Sequence, residues 1–228
     1  MKVLKRLVGI FVFFTLIGVV AMEAQRLTPR IDASIGFSNG DYKVKHLRDF
    51  SGKTIMGYRL SATLDVPLVS VLYLNSGLVF HSKGSKADVA VSSDMKMSPI
   101  KTKIHYLEIP VQLGVRFNLP FRLFCQVQAG PYFSYAMSGT AEVKDLGVKN
   151  SYDLFKHHAG EFFKVKGKRF DTGIGVSAIL GRGRLYALLG ADFGLVNTID
   201  DAVDKFNSDN FDMTMKNASF HFGIGCRF

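Results

Sequence analysis

From residue 28 onward the chain alternates apolar and polar positions with a period of two. Leu107, Ile109, Val111, Leu113, Val115 and Phe117 fall on one face, opposite Glu108, Pro110, Gln112, Gly114, Arg116 and Asn118. Phe220, Phe222, Ile224, Cys226 and Phe228 stand opposite Ser219, His221, Gly223, Gly225 and Arg227. Successive strand residues project to opposite faces, so each segment is a ribbon with one greasy and one wet side. The pattern predicts strands at 28–38, 57–66, 70–82, 103–118, 121–136, 169–181, 184–196 and 218–228. Most reach the length of about ten residues that a tilted strand needs to cross a bilayer.

The connections alternate as well. DVPLVS, NLPF and GRGR are tight and carry turn residues. The segments 39–56, 83–102, 137–168 and 197–217 are long and rich in Lys, Asp, Ser and Gly. Short turns at one end and long loops at the other are the layout of an outer-membrane barrel. A sheet in lipid cannot leave an edge unpaired, so it must close. The expected fold is all-β: an eight-stranded antiparallel up-and-down transmembrane β-barrel with short periplasmic turns and long extracellular loops. The competing fold is a soluble sandwich or lipocalin-like barrel with its apolar face inward. The long, nearly uncharged apolar faces, the glycines on the polar faces and the apolar-face Phe228 count against it.

Residues 1–24 read as a signal peptide preceding a barrel domain at 25–228. Lys2, Lys5 and Arg6 precede an apolar run from Leu7 to Ala21, and Ala24 is the expected cleavage position. The competing reading, an uncleaved anchor, needs about 20 apolar residues. No apolar run of that length follows, so the membrane reading rests on strands alone.

Eight strands enclose a lumen that side chains fill. The inward set includes Asp32, Arg59, Asn75, Glu108, Gln112, Arg116, Gln126, Gln128, Asp171, Asp192, His221 and Arg227. Both signs are present, as a paired polar network requires; a proton or ion path is the functional alternative. Cys125 and Cys226 lie on apolar faces of non-adjacent strands, so they are expected to be free thiols. Two cysteines also exclude a four-thiolate zinc site.

No catalytic, cofactor or metal site is expected. His81 and Ser82 near the outer rim are adjacent on a strand and point to opposite faces, which separates a base from its nucleophile. His157 and His158 have no third ligand at metal spacing. Gly173-Ile174-Gly175 and Gly181-Arg182-Gly183 fit a crowded lumen and a turn instead of a phosphate loop. The formal net charge of +10 sits mainly in the long segments, Lys83, Lys86, Lys101 and Lys103 included. That placement argues for outer-membrane lipid and lipopolysaccharide phosphates as partners, not nucleic acid. Solvated loops without a partner are the plainer reading. The fourth long segment is acidic, with Asp200, Asp201, Asp204, Asp209 and Asp212. Phe155, Phe162 and Phe163 in the third are unusual for solvent and predict packing over the barrel mouth or a partner contact.

The stretches HYLEIPVQLGVRF (His105 to Phe117) and QAGPYFSY (Gln128 to Tyr135) resemble the PorT-type outer-membrane β-barrel family of the Bacteroidetes. FGLVNT (Phe193 to Thr198) and the terminal Phe are also similar. The resemblance implies an outer-membrane location. It also implies insertion by the barrel assembly machinery, which reads the C-terminal strand, with Phe228 as its signal. One branch of that family is implicated in type IX protein secretion. Glu108 and Pro110 match the family strand, and the expected roles are architectural: a lumenal Arg partner for Glu108 and a local break in hydrogen bonding at Pro110. The leading expectation is a non-enzymatic structural or interaction barrel with possible protein partners at its long loops. The alternatives are an accessory component of a secretion or surface-assembly system and a lipid A-modifying enzyme.

Overall fold

The computed structural model describes residues 27–44, 50–51, 53–90, 97–145, 148–155, 168–197 and 213–228. The proposed leader, His157, His158, Phe162, Phe163 and the acidic run from Asp200 to Asp212 lie outside that set. Alternation of β-branched and aromatic residues with small polar ones gives ten strands among the described residues. They are β1 (Thr28–Val44), β2 (Phe50–Ser51), β3 (Lys53–Val69), β4 (Leu72–Ala90), β5 (Met97–Asn118), β6 (Leu123–Asp145), β7 (Val148–Asp153), β8 (Phe170–Arg182), β9 (Leu185–Gly194) and β10 (Met213–Arg227).

Eight of them form a closed antiparallel barrel in the order β1-β3-β4-β5-β6-β8-β9-β10. β10 returns to β1 along a register from Arg30↔Arg227 to Val44↔Met213. β2 and β7 are short additions, paired to β1 and β6. β8 and β9 separate Cys125 on β6 from Cys226 on β10, and both thiols are free. One end of the barrel carries tight connections: Ser70–Val71, the 3-10 turn Pro120–Arg122 and Gly183–Arg184. Gly183 takes a left-handed φ of 62° there, as do Phe121 and Arg122 at 62° and 60°.

The other end departs from the sequence reading. Segments read as loops are largely strand: β4 runs on to Ala90, β5 begins at Met97, β6 continues to Asp145 and β10 begins at Met213. The expectation failed because Lys, Ser, Asp and Gly occupy both faces of these extensions. Hydrophobic periodicity marks a strand only where one side is apolar. Two bulges sit at this level. β3 carries an extra residue between Thr54 and Arg59 against β4, and β6 carries one at Met137 against β5. A bulge bends its strand and re-aims side chains. Here His81, Ser82, Lys83, Gly84 and Ser85 of β4 are all buried. Ser38 of β1 hydrogen-bonds the Gly84 backbone through both its N–H and its C=O.

The apolar faces point outward. Ile224, Leu185, Met56 and Leu189 are more than 60% exposed. The lumen holds rings as well as polar groups. Tyr73, Phe124, Tyr132 and Tyr186 face inward and are almost wholly buried. Each lies across from a glycine on the next strand: Gly114, Gly181, Gly173 and Gly225 respectively. A Cβ at any of the four would overlap the facing ring. Phe124, Ile179, Tyr186 and Leu188 form an apolar plug toward the turn end.

Gly114→Val is expected to lower stability by about 1–3 kcal/mol through overpacking against Tyr73. The urea midpoint of the vesicle-inserted protein measures it, followed by tyrosine fluorescence because the chain has no Trp. Adding Tyr73→Leu should recover part of the loss.

Candidate functional site

The strand pleat carries charge into the lumen, where every ion needs a partner. Arg59 on β3 is the hub. Its Nη2 donates to Glu108 Oε1 at 2.9 Å and its Nη1 to Asp192 Oδ2 at 3.2 Å. Lys83 Nζ lies 3.9 Å from both Glu108 Oε2 and Asp192 Oδ2, and 4.4 Å above the Tyr132 ring. His81 Nε2 sits 3.2 Å from Glu108 Oε2. Ser134 and Ser219 donate their hydroxyls to Glu108 and Asp192. His221 Nδ1 is 4.0 Å from Asp192 Oδ2. Glu108 is wholly buried, so this cluster is shielded from water.

A second cluster centres on Asp65, toward the turn end. Arg116 Nη2 makes a close ion pair with Asp65 Oδ2, and Arg30 Nη1 lies 3.4 Å from Asp65 Oδ1. Asn75 and Gln126 donate to the same carboxylate at 2.8 and 3.2 Å. Gln128 links outward from it, donating to Gln112 at 2.7 Å and accepting from Tyr73 and Arg30. Between the two clusters lies a cavity of about 30 Å³, lined by Arg30, Asp32, Arg59, Gln112 and Asp192 among others. That space has room for on the order of one or two waters.

The expected lumenal residues therefore separate into groups. Arg59, Glu108 and Asp192 meet in the upper cluster, and Arg116, Gln126, Gln128 and Gln112 in the lower one. Asp32 accepts from the Tyr186 hydroxyl at 2.9 Å and, among the described residues, makes no ion pair. Asp171 is wholly buried near Gly194 at the loop end. Arg227 lies at the turn end, where its guanidinium stacks 3.5 Å above Phe124 and its Nε donates to Gly183 O. Among the described residues Arg227 makes no ion pair. Phe228 continues past it, with its N–H donating to Pro29 O and its ring exposed.

The sequence reading omitted Arg30 and Asp65, although both are in phase with inward neighbours. It also placed Lys83 in a loop; the structure puts it in the lumen. Carrying the β4 alternation one step past His81 would have found it. Pro110 sits beside a gap in the β4–β5 ladder, between the Ser76↔Val111 and Val79↔Glu108 pairs.

His81, Glu108 and Asp192 bring one ligand atom each within 4.8 Å of one another, a spacing a metal could use. Arg59 and Lys83 already supply the positive charge there, so the donor set suits ion pairing. Ser82 Oγ accepts from the Tyr58 N–H, while His81 is held on Glu108 in the lumen. Phe155 packs with Leu154 against Ile104, Tyr106 and Ala136 at the loop end of the lumen.

A model of the outer membrane protein beta-barrel domain matches residues 23–200. The chain belongs to that family. This outer-membrane barrel is similar in structure to several solved proteins. OprG from Pseudomonas aeruginosa is 10% identical with a TM-score of 0.48, covering 88% of this chain and 95% of its own. Neisserial surface protein A is 12% identical with a TM-score of 0.41, covering 88% and 97%. Ail, the attachment invasion locus protein of Yersinia pestis, is 12% identical with a TM-score of 0.33, covering 87% and 98%. No curated protein sequence matches the chain.

Glu108→Ala should cost about 3–5 kcal/mol by leaving the buried Arg59 and Lys83 with Asp192 as the one carboxylate they share. Replacing the Arg59–Glu108 pair by Met and Leu should restore part of it. Urea midpoints of the two variants in lipid vesicles, set against wild type, provide the comparison.

Proposed function

We propose that this outer-membrane barrel is a non-enzymatic interaction protein that holds a strand-built platform outside the cell. The observation that carries the reading is strand length. β5 has 22 residues and β6 has 23, roughly twice the 9–11 that cross a bilayer. The surplus lies at the end opposite the tight turns, which we place in the periplasm. Above the lumen, β7 takes over from β8 as the neighbour of β6, pairing Thr140–Asp145 with Val148–Asp153. Arg169 bridges the changeover, donating to Ala136 O and stacking 4.4 Å over Phe155.

The lumen supports the same reading. Buried ion pairs and rings pack its described part, and the cavity between the two clusters is about 30 Å³. The Tyr-Leu-Glu-Ile-Pro stretch that resembles the PorT-type family places Tyr106, Glu108 and Pro110 inward and Leu107 and Ile109 outward. Its residues have architectural tasks in the wall and lumen. A secretion role would therefore have to reside in the platform.

Replacing residues 138–153 by a short turn should leave the barrel inserted and remove the proteins cross-linked to its outer end in intact cells. Insertion is read from heat-modifiable gel migration, and partners from proximity labelling. An unchanged partner set would defeat the reading. Lipid A from a deletion strain should be unaltered by mass spectrometry; a modified profile would favour an enzyme.

A further inference from the structure

The outward face of β3, β4 and β5 changes character in a fixed order. On β5, Ile109 and Leu107 are lipid-exposed, then come His105, Lys103 and Lys101. At the level of His105 the rings form a platform. Tyr58 and Phe80 are 5.9 Å apart, and Phe80 stacks on His105 at 6.2 Å with an interplanar angle of 16°. The Tyr58 hydroxyl and His105 Nδ1 are hydrogen-bonded at 3.1 Å. Lys103 Nζ lies 5.9 Å from the Tyr58 ring.

One step farther out, the register sets lysines side by side. Lys86 pairs with Lys53 on one neighbouring strand and with Lys101 on the other. Directly opposed residues share a face, with strands about 4.7–4.9 Å apart. Like charges in that arrangement repel and destabilise the pairing unless an anion lies among them. Glu142 of β6 stands opposite Lys101 and offsets that end of the row. Lys86 has a lysine on both sides.

We propose that this face binds the phosphorylated head of an outer-leaflet glycolipid. Its acyl chains lie along Leu107, Ile109 and their neighbours, its sugar rests on the Tyr58–Phe80–His105 platform, and its phosphate is held by Lys86, Lys101 and Lys103. The order apolar, aromatic, cationic is the order of such a lipid from tail to head. Aromatic rings favour the headgroup boundary, where one side is apolar and the other wet. The site rests on the outer-membrane location and not on the platform role proposed above.

The test uses the full barrel reconstituted in phosphatidylethanolamine vesicles containing either bisphosphorylated lipid A or its dephosphorylated form. Glycolipid retained after detergent extraction is quantified by native mass spectrometry. Wild type should retain the phosphorylated lipid and discriminate against the dephosphorylated one. Each lysine near an anionic surface contributes about fivefold, so K86Q/K101Q/K103Q should bind on the order of a hundredfold more weakly. Arg184→Gln, at the turn end, should bind as wild type does. Should the triple variant fail to insert, K86Q and K103Q carry the test singly, each with about a fivefold loss. Equal retention of both lipids, or full retention by the lysine variants, would overturn the site. Displacement by inorganic phosphate at physiological ionic strength would assign it to a free anion and overturn the lipid. Failure of wild type to insert at all would count against the barrel itself; insertion without preference counts against this site alone.

Discussion

The pairing of β10 with β1 is the contact on which the rest depends. Hydrocarbon offers no hydrogen-bond partner, so a sheet within it must satisfy every amide from inside. Closure along Arg30↔Arg227 to Val44↔Met213 removes the two edges that would otherwise be exposed. Once closed, the ribbon has an outside that meets lipid and an inside that cannot. The inversion of charge and grease follows from that, as does the pairing of Asp65, Glu108 and Asp192 with cations.

Much of this was legible along the chain. A period of two with one apolar side is unambiguous where the sheet meets lipid, and the eight membrane-crossing segments were found there. Arg59, Glu108 and Asp192 were placed inward on alternation alone. The misses share one cause. At the end opposite the tight turns polar residues occupy both faces, so the extensions of β4, β5, β6 and β10 carry no periodic signal, and Lys83 was read as loop. Which ions would meet was also hidden. The contacts of Arg59 with Asp192, 133 residues apart, and of Arg30 with Asp65 depend on which strands face across the lumen. The bulges within Thr54–Arg59 and at Met137 leave no composition cue.

The lumen is divided by chemistry. The upper cluster gathers Glu108 and Asp192 around two cations, and the lower gathers Arg30 and Arg116 around one carboxylate. The upper one balances its charges, the lower one carries a cation in excess, and the small cavity separates them. Buried pairs of this kind contribute little net stability, because desolvation cancels much of the Coulomb gain. Their effect is to make alternative arrangements costly.

The rings seated on glycines act as a lock on strand alignment. A slip of one residue turns a whole strand inside out and is rejected by lipid. A slip of two keeps every side chain on its proper face, so solvent preference alone would not exclude it. It would, however, drive Tyr73 against Gln112 or Arg116 in either direction, and Phe124, Tyr132 and Tyr186 against Ile179, Asp171 and Arg227 in one direction. Stagger summed around a barrel sets its girth. Four hydrogen atoms standing where methyl groups would otherwise be thus help fix the diameter of the whole cylinder.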